Sequence, residues 1–246
     1  MNYLTYGDKN NKSLLFIHGL ASTATLCFEP LLPYLQDYYV VLCQLDGHYD
    51  GGPRDLESMK ACIDDIEEYV QVNLGGQVYG LCGFSMGATM ALDLIGRGHI
   101  RARRLFLDAP IAVELGALAW PLSLAFRIGA DRMRRGKALP KFLTDLVVGK
   151  DNRAPAEMVY ANITKTTIKN ACRDLYHYDM PANLSNFANP VLTIMGSREP
   201  IPMKSEAVLR PYLPHMETQV IRDMGHGQFL HDRPSEYAER LRTFLA

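Results

Sequence analysis

The run Gly83-Phe84-Ser85-Met86-Gly87 leaves few folds open to this chain. Before it, Val78 to Cys82 is a short apolar run of strand length. After it, Ala88 to Ile95 has the composition and spacing of a packed helix. A Gly-x-Ser-x-Gly between strand and helix is a tight turn that holds the serine in a strained backbone conformation. Strand and helix approach so closely there that a Cβ at either glycine is expected to clash. The serine then caps a helix N-terminus, where free N–H groups and the helix dipole favour developing negative charge.

The rest of the chain supplies the sheet that such a turn needs. Strand-like and helix-like segments alternate, which predicts an α/β fold with a mainly parallel sheet and helices on both faces. Ser13 to Ile17, Tyr39 to Leu45, Leu105 to Leu107, Pro190 to Met195 and Thr218 to Arg222 read as strands. Phe28 to Gln36, Ser58 to Val72, Met203 to Leu213 and Pro234 to Phe244 read as helices. From Pro110 to about Ser185 the alternation stops, and only helix-like pieces broken by Pro121, Gly129, Gly136, Pro140, Gly149 and Pro155 remain. This block is expected to be a helical insertion between two strands, lying over the strand C-termini where open α/β sheets bind ligands. Its eleven basic and seven acidic side chains leave it at +4, which a solvated surface explains most simply.

Three further places carry chemistry. His18-Gly19-Leu20-Ala21 ends the first strand, and its loop can bring the N–H of Leu20 to the same point as the N–H of Met86, a pair suited to an oxyanion. A plain strand-end turn is the alternative. Asp223-Met224-Gly225-His226-Gly227 follows the last strand, and His226 can reach back to Ser85 as a base; His231 lies closer to the final helix and reads as a surface residue. A carboxylate must orient that imidazole. Glu199, directly after the Val191 to Met195 strand, is favoured by its position; Asp108 at another strand end and Asp179 at the close of the insertion are the alternatives, and pairing of Glu199 with Arg198 is its non-catalytic reading. Cys82 lies three residues before Ser85, but its apolar strand setting predicts an inert thiol.

Composition narrows the classes. The 246 residues suit one α/β domain with a large core, and the net charge of −1 gives no electrostatic case for nucleic acid. The first eight residues lack the pattern of a signal peptide, and no apolar run is long enough for a membrane span. Cys27, Cys43, Cys62, Cys82 and Cys172 are odd in number and lack metal-ligand spacing. No disulfide framework, metal or cofactor is therefore expected, and a soluble, cytoplasmic chain follows. Whether it is a monomer or a homodimer is not legible.

Together these residues resemble the α/β-hydrolase fold superfamily, with its order of nucleophile, acid, histidine. The resemblance spans nearly the whole chain and rests on His18-Gly19, Asp46-Gly47-His48, Gly83 to Gly87, Pro190 to Pro200 and Gly225-His226. It implies a nucleophile elbow at Ser85, a core domain of residues 1–109 and 186–246, and a helical cap of residues 110–185. The family commonly has Asp where this chain has Glu199, which keeps Asp108 open as the acid. In layout the chain resembles the capped small-molecule esterases and carbon–carbon bond hydrolases. A serine at the elbow argues against haloalkane dehalogenases, which use aspartate there. The implied activity is hydrolysis of a small or medium carboxylic ester, or a thioester, through an acyl-enzyme on Ser85. A carbon–carbon bond hydrolase or lyase, or a weakly catalytic ligand-binding receptor, is the alternative. Leu118, Trp120, Leu124, Phe126 and Phe142 are candidates to line an acyl pocket, with helix packing as their other reading.

Overall fold

The computed structural model describes residues 1–135, 137 and 158–246. Seven strands form one sheet: β1 (Asn2–Tyr6), β2 (Ser13–Ile17), β3 (Tyr39–Gln44), β4 (Gln77–Phe84), β5 (Arg101–Asp108), β6 (Val191–Gly196) and β7 (Glu217–Ile221). Their spatial order is β1-β3-β2-β4-β5-β6-β7. Only β1 runs antiparallel, pairing with β3, and every other neighbouring pair is parallel.

Period-two side-chain alternation explains why the sheet is covered on both faces. Leu15, Ile17, Val41, Cys43, Leu81, Leu105 and Leu107 enter one core cluster, which is closed by α2 (Met59–Leu74) and α3 (Met86–Arg97). Leu14, Phe16, Val40, Leu42, Cys82 and Phe106 enter the other. There they meet α1 (Ala24–Phe28) and the final helix, whose Tyr237, Leu241 and Leu245 are buried.

Between β5 and β6 the described residues contain helices and turns and no strand: α4 (Ala119–Arg134) and α5 (Lys165–Tyr176), which pack on each other. After β6 come α6 (Pro200–Leu209), then β7, a short α7 (Gln228–Asp232) and α8 (Pro234–Leu245). Among the described residues no helix is long and apolar enough to cross a membrane.

Several boundaries differ from the sequence reading; β5, read as Leu105 to Leu107, begins at Arg101. The stretch read as one helix over Phe28 to Gln36 is the end of α1 followed by a 3-10 turn, Glu29–Tyr34. Pro30 and Pro33 remove the N–H groups that a continuing α-helix would use. The helix expected over Met203 to Leu213 begins earlier, with Pro200 in its first turn, and ends at Leu209. β1 was not anticipated at all; it is an edge strand paired on one side only.

Candidate active site

Ser85 sits between β4 and α3 with φ of 55° and ψ of −118°, a region an L-residue enters only under strain of about 1–3 kcal/mol. Both motif glycines are required by space. A Cβ on Gly83 would run into the Gly87 carbonyl and the Ala88 backbone, and one on Gly87 would run into the carbonyls of Ile17 and His18. The second of these refines the sequence reading, because the crowding at Gly87 comes from the end of β2. The turn is held from the other side too: the Ser85 N–H donates to the Asp108 carbonyl at 2.7 Å, and the Ala88 N–H donates to the Ser85 carbonyl at 2.9 Å.

His226 is carried by the loop after β7. That loop is stitched to the end of β6 by Ser197 N–H to Ile221 O at 2.9 Å and Arg198 N–H to Met224 O at 3.0 Å. Gly196 is required there, since a Cβ would meet the Met224 carbonyl. Gly227 turns the chain with φ of +69°, beginning α7, and the His226 ring stacks on Phe84 with centroids 5.0 Å apart. The result is a continuous chain of hydrogen bonds. His226 Nε2 lies 2.9 Å from Ser85 Oγ, and His226 Nδ1 lies 2.6 Å from Glu199 Oε1. Glu199 Oε2 accepts from the Gly196 N–H.

Glu199 is therefore the carboxylate that meets His226, and the two alternatives fall elsewhere. Asp179 is exposed. Asp108 is buried against Glu199 and hydrogen-bonded to the Tyr237 hydroxyl; burial first, and the Glu199 charge second, push its carboxyl well above the usual range. Glu199 accepts the Gly196 N–H on one oxygen and meets the His226 ring with the other. Arg198 pairs with Asp223 at 3.5 Å. Cys82 is buried in the core, where desolvation raises its thiol far above reactivity at neutral pH. His231 bonds Asp232 at 2.8 Å.

The loop from Gly19 to Thr23 packs directly on Ser85. A Cβ on Gly19 would stand 3.1 Å from Ser85 Cβ and from the Phe84 ring. Leu20 and Ser85 border one cavity of about 110 Å³. Met86 is the first residue of α3, where N–H groups have no acceptor within the helix. Opposite them Leu122 and Phe126 of α4, Met158, Leu175 of α5 and Ile201 of α6 close the cavity with apolar surface.

Of the four described side chains considered for that lining, only Phe126 borders the cavity. Leu118 and Trp120 are 61% and 74% exposed, which corrects both readings of them. Trp120 is two residues from Leu122, about 200° round the helix, so it faces solvent when Leu122 faces inward. Leu124 is half-buried away from the lining, and Phe142 lies outside the described residues. Sequence reasoning missed Met158 and the segment after it, whose Tyr160 N–H bonds the Ala21 carbonyl at 2.8 Å. Among the described residues no group of three or more His, Cys, Asp or Glu is placed to hold a metal ion.

A strained serine above a parallel sheet, bonded to a histidine and through it to a carboxylate, defines a class. The chain matches the alpha/beta hydrolase family over residues 14–240 and belongs to it. It is similar to the pimeloyl-[acyl-carrier protein] methyl ester esterase of Nitrosomonas europaea, at 25% identity over 239 residues, covering 90% of this chain and 91% of that one. It is also similar to the N-formylmaleamate deformylase of Pseudomonas putida, at 26% identity over 232 residues, covering 92% and 85%. Among solved structures, an alpha/beta hydrolase family protein from Desulfitobacterium hafniense shares the fold with a TM-score of 0.87 over 100% of both chains, at 20% identity.

Proposed function

We propose that this chain is a serine hydrolase of small carboxylic esters, with thioesters open to the same chemistry. The observation that carries the reading is the unbroken line Ser85 Oγ, His226 Nε2, His226 Nδ1, Glu199 Oε1, at 2.9 and 2.6 Å. That a relative of similar length is an esterase supports the choice of bond.

In this reading Ser85 Oγ bonds to the ester carbonyl carbon as its proton passes to His226 Nε2. The carbonyl electron pair moves onto oxygen, where the N–H groups of Leu20 and Met86 receive it. Collapse breaks the bond to the alcohol oxygen, and His226 returns the proton to that leaving group. Water then attacks the acyl-enzyme by the same route in reverse, freeing the acid and Ser85. Glu199 holds Nδ1–H, so that Nε2 is free to accept, and stabilises the imidazolium.

The acyl group would occupy the cavity of about 110 Å³ under Leu122 and Phe126. That is well below the roughly 300–1,000 Å³ of sites for drug-sized ligands, which favours a short acyl chain. Residues 110–185 would act as the cap that sets this limit. All five cysteines are buried and free, which suits a reducing compartment such as the cytoplasm.

The test is hydrolysis of a short p-nitrophenyl ester by the wild-type chain and by Ser85→Ala. Loss of at least ~10³-fold in kcat is the expected result. An unchanged rate would overturn the proposal.

A further inference from the structure

His18 takes no part in the line of residues just described. It is fully buried, and it does not border the cavity. Its two ring nitrogens are both engaged. The Leu45 N–H donates to Nε2 at 3.2 Å, and Nδ1 lies 2.8 Å from the Gly19 carbonyl oxygen. Because a backbone N–H can only donate, Nε2 must carry the lone pair, and the ring proton is on Nδ1. Nδ1–H therefore donates to the Gly19 carbonyl. The edge of His48 packs 5.2 Å from the His18 ring, itself buried. Burial and this neighbour hold His18 neutral, its pKa lowered to about 3.

What the Gly19 carbonyl does decides where the next N–H points. No peptide bond in the described structure is cis, and in a planar trans unit the C=O of Gly19 and the N–H of Leu20 point in opposite directions. The other backbone donor to this carbonyl is Ser22 N–H at 3.4 Å, a longer and weaker bond. On the far side of the loop Gly19 packs against Ser85.

We propose that His18 is a positioning residue for the oxyanion site: its Nδ1–H holds the Gly19 carbonyl from behind and so keeps the Leu20 N–H turned toward Ser85. This inference rests on the reading of Ser85 as the nucleophile. Its consequence is specific to one ring nitrogen. The bond to Leu45 ties β2 to the end of β3 and stabilises the fold, whereas the bond to Gly19 serves the reaction.

Two isosteres separate those bonds. The amide nitrogen of an asparagine reaches the place of Nδ1, and the amide of a glutamine reaches the place of Nε2. His18→Asn therefore keeps the donor to Gly19 and loses the acceptor for Leu45; His18→Gln does the reverse. With a short p-nitrophenyl ester, His18→Asn is expected to stay within about 3-fold of wild type in kcat. His18→Gln is expected to lose about 10- to 100-fold, as a reacting group displaced by a fraction of an ångström does. KM should stay within about twofold in both, and affinity for a trifluoromethyl ketone analogue should fall in step with kcat. Equal losses in the two variants, or a loss carried by KM alone, would overturn the proposal. If either variant fails to fold, nitrogen-15 spectra of the wild-type chain decide. A proton on Nδ1 of His18, and a Leu20 amide signal that shifts when the ketone binds, support it; a proton on Nε2 or an unmoved Leu20 signal refutes it. Wild-type protein with neither esterase activity nor ketone adduct on Ser85 would instead sink the underlying hydrolase reading.

Discussion

The backbone N–H of Ser85 donates to the carbonyl of Asp108 at 2.7 Å, so the tip of β5 braces the turn that presents the serine. Asp108 contributes through its main chain, while its carboxyl points to Tyr237 and is pushed toward the neutral form by burial and by Glu199. The two carboxyls that the sequence left as rivals are therefore expected to behave very differently on substitution.

Glu199→Gln keeps the size of the side chain and replaces the carboxylate proposed to orient His226, which lies 2.6 Å from it. A drop in kcat of about 10³- to 10⁴-fold is expected, by analogy with the loss of the orienting acid in other serine hydrolases. Asp108→Asn, replacing a carboxyl that burial already disfavours as an anion, should stay within about tenfold of wild type. Steady-state kinetics on both variants checks this. A larger loss from Asp108→Asn than from Glu199→Gln would reverse the assignment.

Gly87→Ala would drive a methyl group into the Ile17 and His18 carbonyls, where rigid backbone has little room to give. A loss of about 2 kcal/mol or more of stability is expected from this overpacking, read from urea midpoints. Gly51→Ala is a useful contrast, since open space surrounds that position and only its φ of +86° opposes the change.

Phe126 closes the cavity from α4. Phe126→Ala should move the preferred acyl chain toward greater length. Each added methylene that finds cover is worth about 0.8 kcal/mol, or roughly fourfold in kcat/KM. A series of p-nitrophenyl esters from acetate to octanoate measures the shift, and an unmoved optimum would remove Phe126 from the acyl site.

His18 and His48 should make the protein acid-sensitive. Burial, with His48 as a second cause for His18, lowers their folded pKa values to about 3 and about 4, against an ordinary 6.5 in the unfolded chain. Both folded values lie below the unfolded one, so the unfolded state takes up protons first as the pH falls. Their contribution to stability is whole above about pH 6.5 and is lost between there and pH 4 to 3. Urea midpoints at pH 7, 6, 5 and 4.5 should therefore fall less steeply in His48→Gln than in wild type. Equal slopes would contradict this origin of the acid sensitivity.

The meeting of Ser85, His226 and Glu199 was legible because each is pinned by features visible in one dimension: two glycines that a turn demands, and loops that directly follow apolar strands. The alternation of buried residues along β2, β3 and β5 made the sheet readable for the same reason. β1 was not readable, since an edge strand gains half its meaning from the partner it pairs with in space. Leu118, just before α4, and Trp120 within it were misread, because apolar character does not say which side of a turn or helix finds cover. The meeting of His18 and His48, thirty positions apart, depends on how two strand ends come together.

In the proposed reaction Ser85 forms a covalent acyl-enzyme. Rapid acid quench during turnover of a slow ester, followed by mass spectrometry of the peptide containing Ser85, tests it most directly. An acyl adduct on Ser85, absent from Ser85→Ala and accumulating in Glu199→Gln no faster than in wild type, is the predicted result. Full turnover with no adduct on Ser85 at any quench time, and undiminished activity in Ser85→Ala, would contradict it.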